Sequence, residues 1–346
     1  MAKSSYFLSE IEQQPEILER IIGDESIRQA AGELKRRSPP VILTLARGSS
    51  DNAVTFFSYL AGRYLGLPVA SVPPSVLTVY TSTLSAASAV AIGVSQSGES
   101  SDVVEGLRHL RAAGAVTVAV CNAADSSLGR ASDHQLLQHA GPEQAVAASK
   151  TFSSQMMVLA ALVARWADDA ELWQALARVP DLIRDLLGRQ GDIERAALRL
   201  THAGVGYVLG RGFSYGPALE LALKLKETSY LHAHAYSSAE FQHGPIASVD
   251  PNDPIIILGN DDESLPSNVQ AAERLAELGA DLTIVSGSSE LLAFANARVE
   301  LPSGLHPASE AFLQVAAGQL LAYHLATSRG LDPDRPRHLS KVTKTM

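Results

Sequence analysis

Cysteine is nearly absent from this chain. A single Cys121 in 346 residues excludes an internal disulfide framework and a multi-cysteine zinc site, and it asks for no oxidising compartment. Aromatic residues are few, at 5%, and charged residues make up only 19% against 46% hydrophobic, a balance that suits a compact folded chain and not a disordered one. Positive charge is in deficit. The formal net charge of −9 argues against nucleic acid as a partner, because phosphate backbones are bound by basic surfaces. Any phosphate bound here has to be held by local dipoles and hydroxyls. Long apolar runs are missing too: the longest, at 82–94 and 156–163, are too short to span a bilayer. The opening MAKSSYFLSEIEQQP has no apolar core flanked by basic residues, so no signal peptide is read and a cytoplasmic protein with no membrane partner is expected.

What is present is an alternation of strand and helix patterns over a length that fits two domains, each large enough for its own core. An amphipathic helix is read at 9–22, with Pro15 restricting where it begins or kinks. The β-rich run at 41–45 ends in Arg47-Gly48-Ser49-Ser50 and passes into a helical pattern through Tyr64. A second unit follows: a strand at 89–94, the turn Ser95-Gln96-Ser97-Gly98-Glu99-Ser100, then an amphipathic helix to Ala113. A third strand is read at 116–120, after Gly114. Strands alternating with helices predict a parallel sheet covered on both faces.

The second half repeats the first. VILTLARGSS at 41–50 matches VGYVLGRGFS at 205–214, an offset of 164 (205 − 41), and the same offset carries 91–94 onto 255–258. Gly114 then corresponds to Gly279, one residue later. Features matched in register identify two tandem copies of one α/β domain. The expected layout is an N-terminal helical segment at 1–35, a first domain at 36–170, a helical linker at 171–200, a second domain at 201–330 and an irregular tail at 331–346.

Chemistry is concentrated in two stretches. At 95–100 a strand ends in a turn of small hydroxyl residues around Gly98 and a helix starts at once, which offers backbone N–H groups, hydroxyls and the positive end of a helix dipole to an anion. The same residues also fit an ordinary capped helix N-terminus. Ser49 and Ser50 add hydroxyls from the neighbouring turn, and ligands of parallel sheets sit at the carboxyl ends of strands. The second copy carries Gly259-Asn260-Asp261-Asp262-Glu263 at that position, acids that would repel a phosphate, so one phosphate site per chain is predicted. The second stretch, at 210–245, sets Glu220, Lys224 and Glu227 at i, i+4 and i+7 on one helical face between leucines, and closes on His243-Gly244-Pro245. The spacing of Glu220 and Lys224 is equally that of a solvated salt-bridged surface, His243 could cap a turn, and Lys341 could be a solvated tail charge.

SQSGES, AVAASKTF at 145–152, ALELALKLKE, EFQHGP and a C-terminal HLSKVT resemble, together, the double SIS (sugar isomerase) module, the isomerase half of glutamine–fructose-6-phosphate aminotransferase. SEIEQQP near the start is similar to the family's opening, so the resemblance covers essentially the whole chain. It implies two parallel sheets flanked by helices on both faces, and a hexose 6-phosphate substrate shifted between aldose and ketose forms. It implies phosphate contacts from Ser50, Ser95, Gln96, Ser97 and Ser100, and backbone contacts to the sugar from Val146 and Ala147. Glu227 then takes the place of the carboxylate that moves a proton between C1 and C2, with Glu220 and Lys224 in support. His243 takes that of the histidine that opens the ring, contributed across a homodimer, and Lys341 that of the tail lysine that meets the sugar carbonyl. No cofactor and no metal are implied.

Departures from the aminotransferase pattern narrow the expectation. That enzyme begins with a glutaminase domain using an N-terminal cysteine, whereas this sequence begins at the sugar module and its Cys121 ends a strand, so no glutaminase activity is expected. Ala148 stands where the aminotransferase has a hydroxyl residue and His234 where it has an acid. Arg47 in RGSSD, the SSAEFQHGP stretch and the terminal KVTKTM are closer to stand-alone deaminases built from this module, which implies conversion of glucosamine 6-phosphate and water to fructose 6-phosphate and ammonia. An isomerase or deglycase of another sugar phosphate, and a non-catalytic sugar-phosphate sensor, remain open. A sensor would keep the serine turn but have no need of Glu227, His243 and Lys341.

Overall fold

The computed structural model describes residues 5–341. Two parallel five-stranded sheets account for the α/β expectation. The first contains β1 (Ile42–Leu45), β2 (Val69–Ser71), β3 (Val90–Val94), β4 (Val116–Cys121) and β5 (His134–Leu137), in the order β2-β1-β3-β4-β5. The second contains β6 (Val205–Gly210), β7 (His232–Ser237), β8 (Pro254–Leu258), β9 (Asp281–Ser286) and β10 (Ala297–Glu300), in the order β10-β9-β8-β6-β7. Read from β7 the second order is the first again, as the internal repeat requires. The register agrees: β3 and β8 are offset by 164 (254 − 90) and β4 and β9 by 165 (281 − 116), the one-residue slip seen at Gly114 and Gly279.

The chain divides into two compact units that interleave along the sequence. Within the described residues, the first-sheet unit holds 16–143, 150–177 and 340–341, and the second-sheet unit holds 5–15, 144–149 and 178–339. In the first-sheet unit every residue of β3 is buried, the pattern of a strand covered on both faces, and the helix Ser101–Ala112 lays Val103, Leu107 and Leu110 into a core with Leu45, Ala119 and Leu128. The helices Glu25–Arg37 and Ser49–Leu60 each pack on Lys150–Ala167. The last of these is buried through nearly its whole length. In the second-sheet unit, Leu209, Ile255, Ile257, Leu282 and Ile284 build a core with Leu275 and Leu291, while the helix Tyr215–Ser229 packs on the long helix Pro307–Ser328.

The single N-terminal helix expected at 9–22 is two, Tyr6–Glu12 and Gln14–Ile22, because the chain breaks at Gln13 just before Pro15, which lacks an N–H to donate back. The tail is irregular from 331 to 341, as its prolines predict. Among the described residues no helix is long and apolar enough to cross a membrane.

Candidate active site

The turn at 95–100 leaves the carboxyl end of β3, and the turn at 47–50 leaves that of β1, its hydrogen-bonded neighbour in the sheet. Each opens a helix, so two helix N-termini start from the carboxyl ends of adjacent strands. Ser95 is buried, its hydroxyl 3.2 Å from that of Ser100, and it accepts the Gly98 N–H at 3.2 Å. Gly98 has φ +70°, and an added Cβ would meet Ser126 at 2.4 Å, so both the turn's curvature and its packing demand glycine. Ser100 is the N-cap of Ser101–Ala112 without a side-chain cap bond, and Gly48 likewise caps Ser49–Leu60 without one. Ser50 is buried while Gln96, Ser97 and Ser100 are half-buried, with the Ser97 hydroxyl accepting from Glu99 N–H at 3.2 Å. The acid in this turn is directed elsewhere. Hydrogen bonds from the Ser127 backbone and hydroxyl hold the Glu99 carboxyl below its ordinary value and tie it to the next loop. The structure therefore brings Ser50, Ser95, Gln96, Ser97 and Ser100 to adjacent strand ends of one unit.

The equivalent end of the second sheet is acidic, and one of its acids comes from a helix that sequence reasoning missed. Glu310, in Pro307–Ser328, accepts the Gly287 N–H at 2.7 Å and is buried. Burial pushes its carboxyl up, to about 7 from 4.5, against the N–H bonds from Gly287 and Asp261, and the charges of Asp262 and Asp261 push the same way as burial. The folded state thus holds this proton more tightly than the unfolded chain does. Stability is undiminished below about pH 4.5, falls as pH rises toward about 7 and stays lower above it, by about 3 kcal/mol in all. Urea unfolding at pH 5 and pH 8 should show this fall in the wild type and a much smaller one in Glu310→Gln.

The helix Tyr215–Ser229 follows β6 through the tight turn 211–214. Gly210 permits it, since an added Cβ would lie 2.5 Å from the Ser214 carbonyl oxygen. Here the surface reading of the 220/224/227 face is corrected. Lys224 and Glu220 have side chains only 1% and 2% exposed, and Lys224 Nζ lies 3.3 Å from Glu220 and 2.5 Å from Glu227. Only Glu227, 21% exposed, reaches solvent. Burial alone would lower the Lys224 ammonium, but the carboxylates of Glu220 and then Glu227 outweigh it and hold the lysine far above its ordinary value. The row is a fixed buried cation between two acids, the outer one accessible. The sequence spacing gave the neighbours, and packing against Pro307–Ser328 supplied the burial.

His243, in the same unit, is exposed in the turn after the helix Ser238–Phe241, where its N–H donates to the Glu240 carbonyl at 3.0 Å. Val146 is half-buried and donates its N–H to the Asp334 carbonyl at 3.2 Å, and Ala147 is buried. Lys341 belongs to the first-sheet unit. It is not a solvated tail charge there: its Nζ lies 2.6 Å from Glu143 Oε2. Lys344 and the rest of 342–346 lie outside the described residues. Among the described residues no cluster of His, Cys, Asp and Glu is placed to hold a metal ion.

The SIS domain model matches residues 33–165 and 199–329, once on each sheet. The chain belongs to the SIS domain family. The two SIS copies cover most of its length, and their matched spans carry both the serine turn and the Glu220, Lys224, Glu227 row. Glutamine–fructose-6-phosphate aminotransferase [isomerizing] from Aquifex aeolicus is 35% identical over 342 residues, which cover 97% of this chain and 57% of that protein. The chain thus spans a little over half the length of the curated relatives it matches. Among the solved structures that share the fold are two matched over 96% of the chain. One is a protein from Silicibacter pomeroyi assigned as a phosphosugar isomerase, 33% identical with TM-score 0.86 and matched over all of its length. The other is the C-terminal domain of glucosamine-fructose-6-phosphate aminotransferase from Francisella tularensis, 29% identical with TM-score 0.87 over 99% of its length.

Proposed function

We propose that this SIS chain is a phosphosugar isomerase that acts as a deaminase, taking glucosamine 6-phosphate and water to fructose 6-phosphate and ammonia. The observation that carries this reading is the buried row on Tyr215–Ser229, in which a carboxylate that solvent reaches is backed by a lysine kept charged. A proton taken from C2 and returned to C1 needs one group that can both accept and release it, and Glu227 is the member of the row able to do so. Lys224, held as a cation, supplies fixed charge beside the electrons that move when C2 is deprotonated.

The other roles follow in the same reading. The serine turn at 95–100 with Ser50 holds the phosphate by hydroxyls, backbone N–H groups and helix dipole. The acids at 261–262 with Glu310 make the second sheet's end unsuited to an anion, which supports one phosphate site per chain. His243 assists ring opening, and its exposure suits service to a second copy in a homodimer. Val146 and Ala147 contact the sugar through backbone. Proton transfer from C2 to C1 of the open amino sugar leaves a ketimine at C2; Lys341 attacks that carbon and displaces ammonia, and water hydrolyses the lysine imine to the ketose. Arg47 in RGSSD, the SSAEFQHGP stretch and the terminal KVTKTM are closer to stand-alone deaminases built from this module, which favours the deaminase within the isomerase class. Relatives named as isomerizing aminotransferases and as a phosphosugar isomerase support the class itself.

The test is a screen of ammonia release from a panel of amino-sugar 6-phosphates, with aldose and ketose 6-phosphates assayed for interconversion alongside. Glucosamine 6-phosphate is expected to give ammonia and fructose 6-phosphate in equal amounts. Interconversion without ammonia release would move the chain to the simple isomerases, and binding without turnover of any member to the sensors.

A further inference from the structure

The loop ahead of Lys150–Ala167 contains a buried acid to which the proposed mechanism gives no role. The Glu143 side chain is 0% exposed. Its Oε1 accepts the Thr151 N–H at 3.1 Å, and its Oε2 accepts both the Thr151 hydroxyl at 2.8 Å and Lys341 Nζ at 2.6 Å. The partner lysine sits 198 residues away in sequence, with a side chain only 26% exposed. We propose that Glu143 is the positioning residue for Lys341, holding the tail amine in one place and taking its proton when it attacks the C2 ketimine of the sugar.

The physical case has two parts. A carboxylate fully removed from water is tolerated only when its oxygens are paired and its charge is met. Thr151 supplies two hydrogen bonds but no charge, and Lys341 brings a cation to within 2.6 Å of Oε2. In return, a lysine near the end of the chain, otherwise spread over many rotamers, is fixed at one point. The second part is chemical, and it rests on the role of Lys341 in the function proposed above. An ammonium has no lone pair to give until one proton leaves, and Oε2 is an acceptor within hydrogen-bond reach. With that proton on Glu143, Nζ bonds to C2 of the ketimine, the C=N electron pair moves to the substrate nitrogen, and an Nζ proton follows it. Glu143 then returns its proton to this amine, which leaves as ammonia. The products are a protonated imine and a carboxylate again, so protons and charge balance without any further reactant.

The experiment compares wild type, E143Q, K341M and the double variant on glucosamine 6-phosphate, and in parallel measures how fast trinitrobenzenesulfonate modifies Lys341, read by mass spectrometry. E143Q retains the size of the side chain and an oxygen for Thr151 while removing the charge. It is expected to lower kcat about tenfold or more with KM changed less than about threefold, and to cost less than about twofold when added to K341M, because it acts through that lysine. Modification of Lys341 should be about threefold faster or more in E143Q, since the amine is no longer held. An equal cost of E143Q in both backgrounds, or an unchanged modification rate, overturns the proposal. If the wild type turns over none of the amino-sugar phosphates, the functional reading has failed, while the modification rate still decides whether Glu143 positions Lys341.

Discussion

Replacing Glu227 by Gln is expected to slow ammonia release from glucosamine 6-phosphate by about 10²- to 10⁴-fold, the range that a positioned proton-transfer group contributes, while leaving the protein folded. The expectation rests on the division of labour within the row. Lys224 stays charged because two carboxylates outweigh its burial, so it cannot serve as the base. Glu220 is sealed at 2% exposure, and Glu227 alone faces outward. A glutamine there still offers an oxygen to the Lys224 ammonium, and Glu220 remains to neutralise it, so the fold keeps its contacts while the proton carrier is gone. Two readouts separate loss of chemistry from loss of binding. KM should change little, and incorporation of deuterium at C1 from heavy water should fall in step with ammonia release. Wild-type rates of both would remove Glu227 from the mechanism.

Much of the fold was legible because α/β architecture writes itself locally. β3 and β8 are five-residue apolar strands, each followed by a turn and a helix, and the offset between them is the one the sequence repeat predicts. The edge strands were not legible. β2 has three residues and β5 and β10 four each, with burial interrupted along each of them, and HAHAYS in β7 carries two exposed histidines. Such segments lack an apolar run because only part of their surface is covered, and they are held by pairing with the inner strand next to them.

The candidate site divides along the same line. The serine turn could be read because a strand, a glycine with positive φ and a helix start are consecutive in the chain. Glu143 and Glu310 could not, since what makes each notable is burial against residues far away in sequence: Lys341 in one case, the loops around Gly287 and Asp261 in the other. Spacing reports which side chains are neighbours on a helix. It carries no information on whether another element covers them, which is how a face with the period of a surface ion-pair array turned out to be buried.

That difference has a large energetic consequence, and Lys224→Met is the substitution that measures it. Were the row a surface array, losing the lysine would cost at most about 1 kcal/mol, since exposed pairs are screened and their side chains pay entropy to meet. Buried as it is, removal of the cation leaves the Glu220 carboxylate at 2% exposure with its neutralising partner gone, a change expected to cost about 3–5 kcal/mol. Methionine fills a similar volume, so little of this loss would come from a cavity. Adding Glu220→Gln to Lys224→Met removes the stranded charge and should recover more than half of the loss, whereas Glu220→Gln alone, which leaves Lys224 paired with Glu227, should cost less than Lys224→Met. Urea unfolding of the wild type, the two single variants and the double variant gives all four values. A loss below about 1 kcal/mol for Lys224→Met, or no recovery in the double variant, would return the row to the class of surface ion pairs and leave Glu227 without the fixed buried cation on which its role depends.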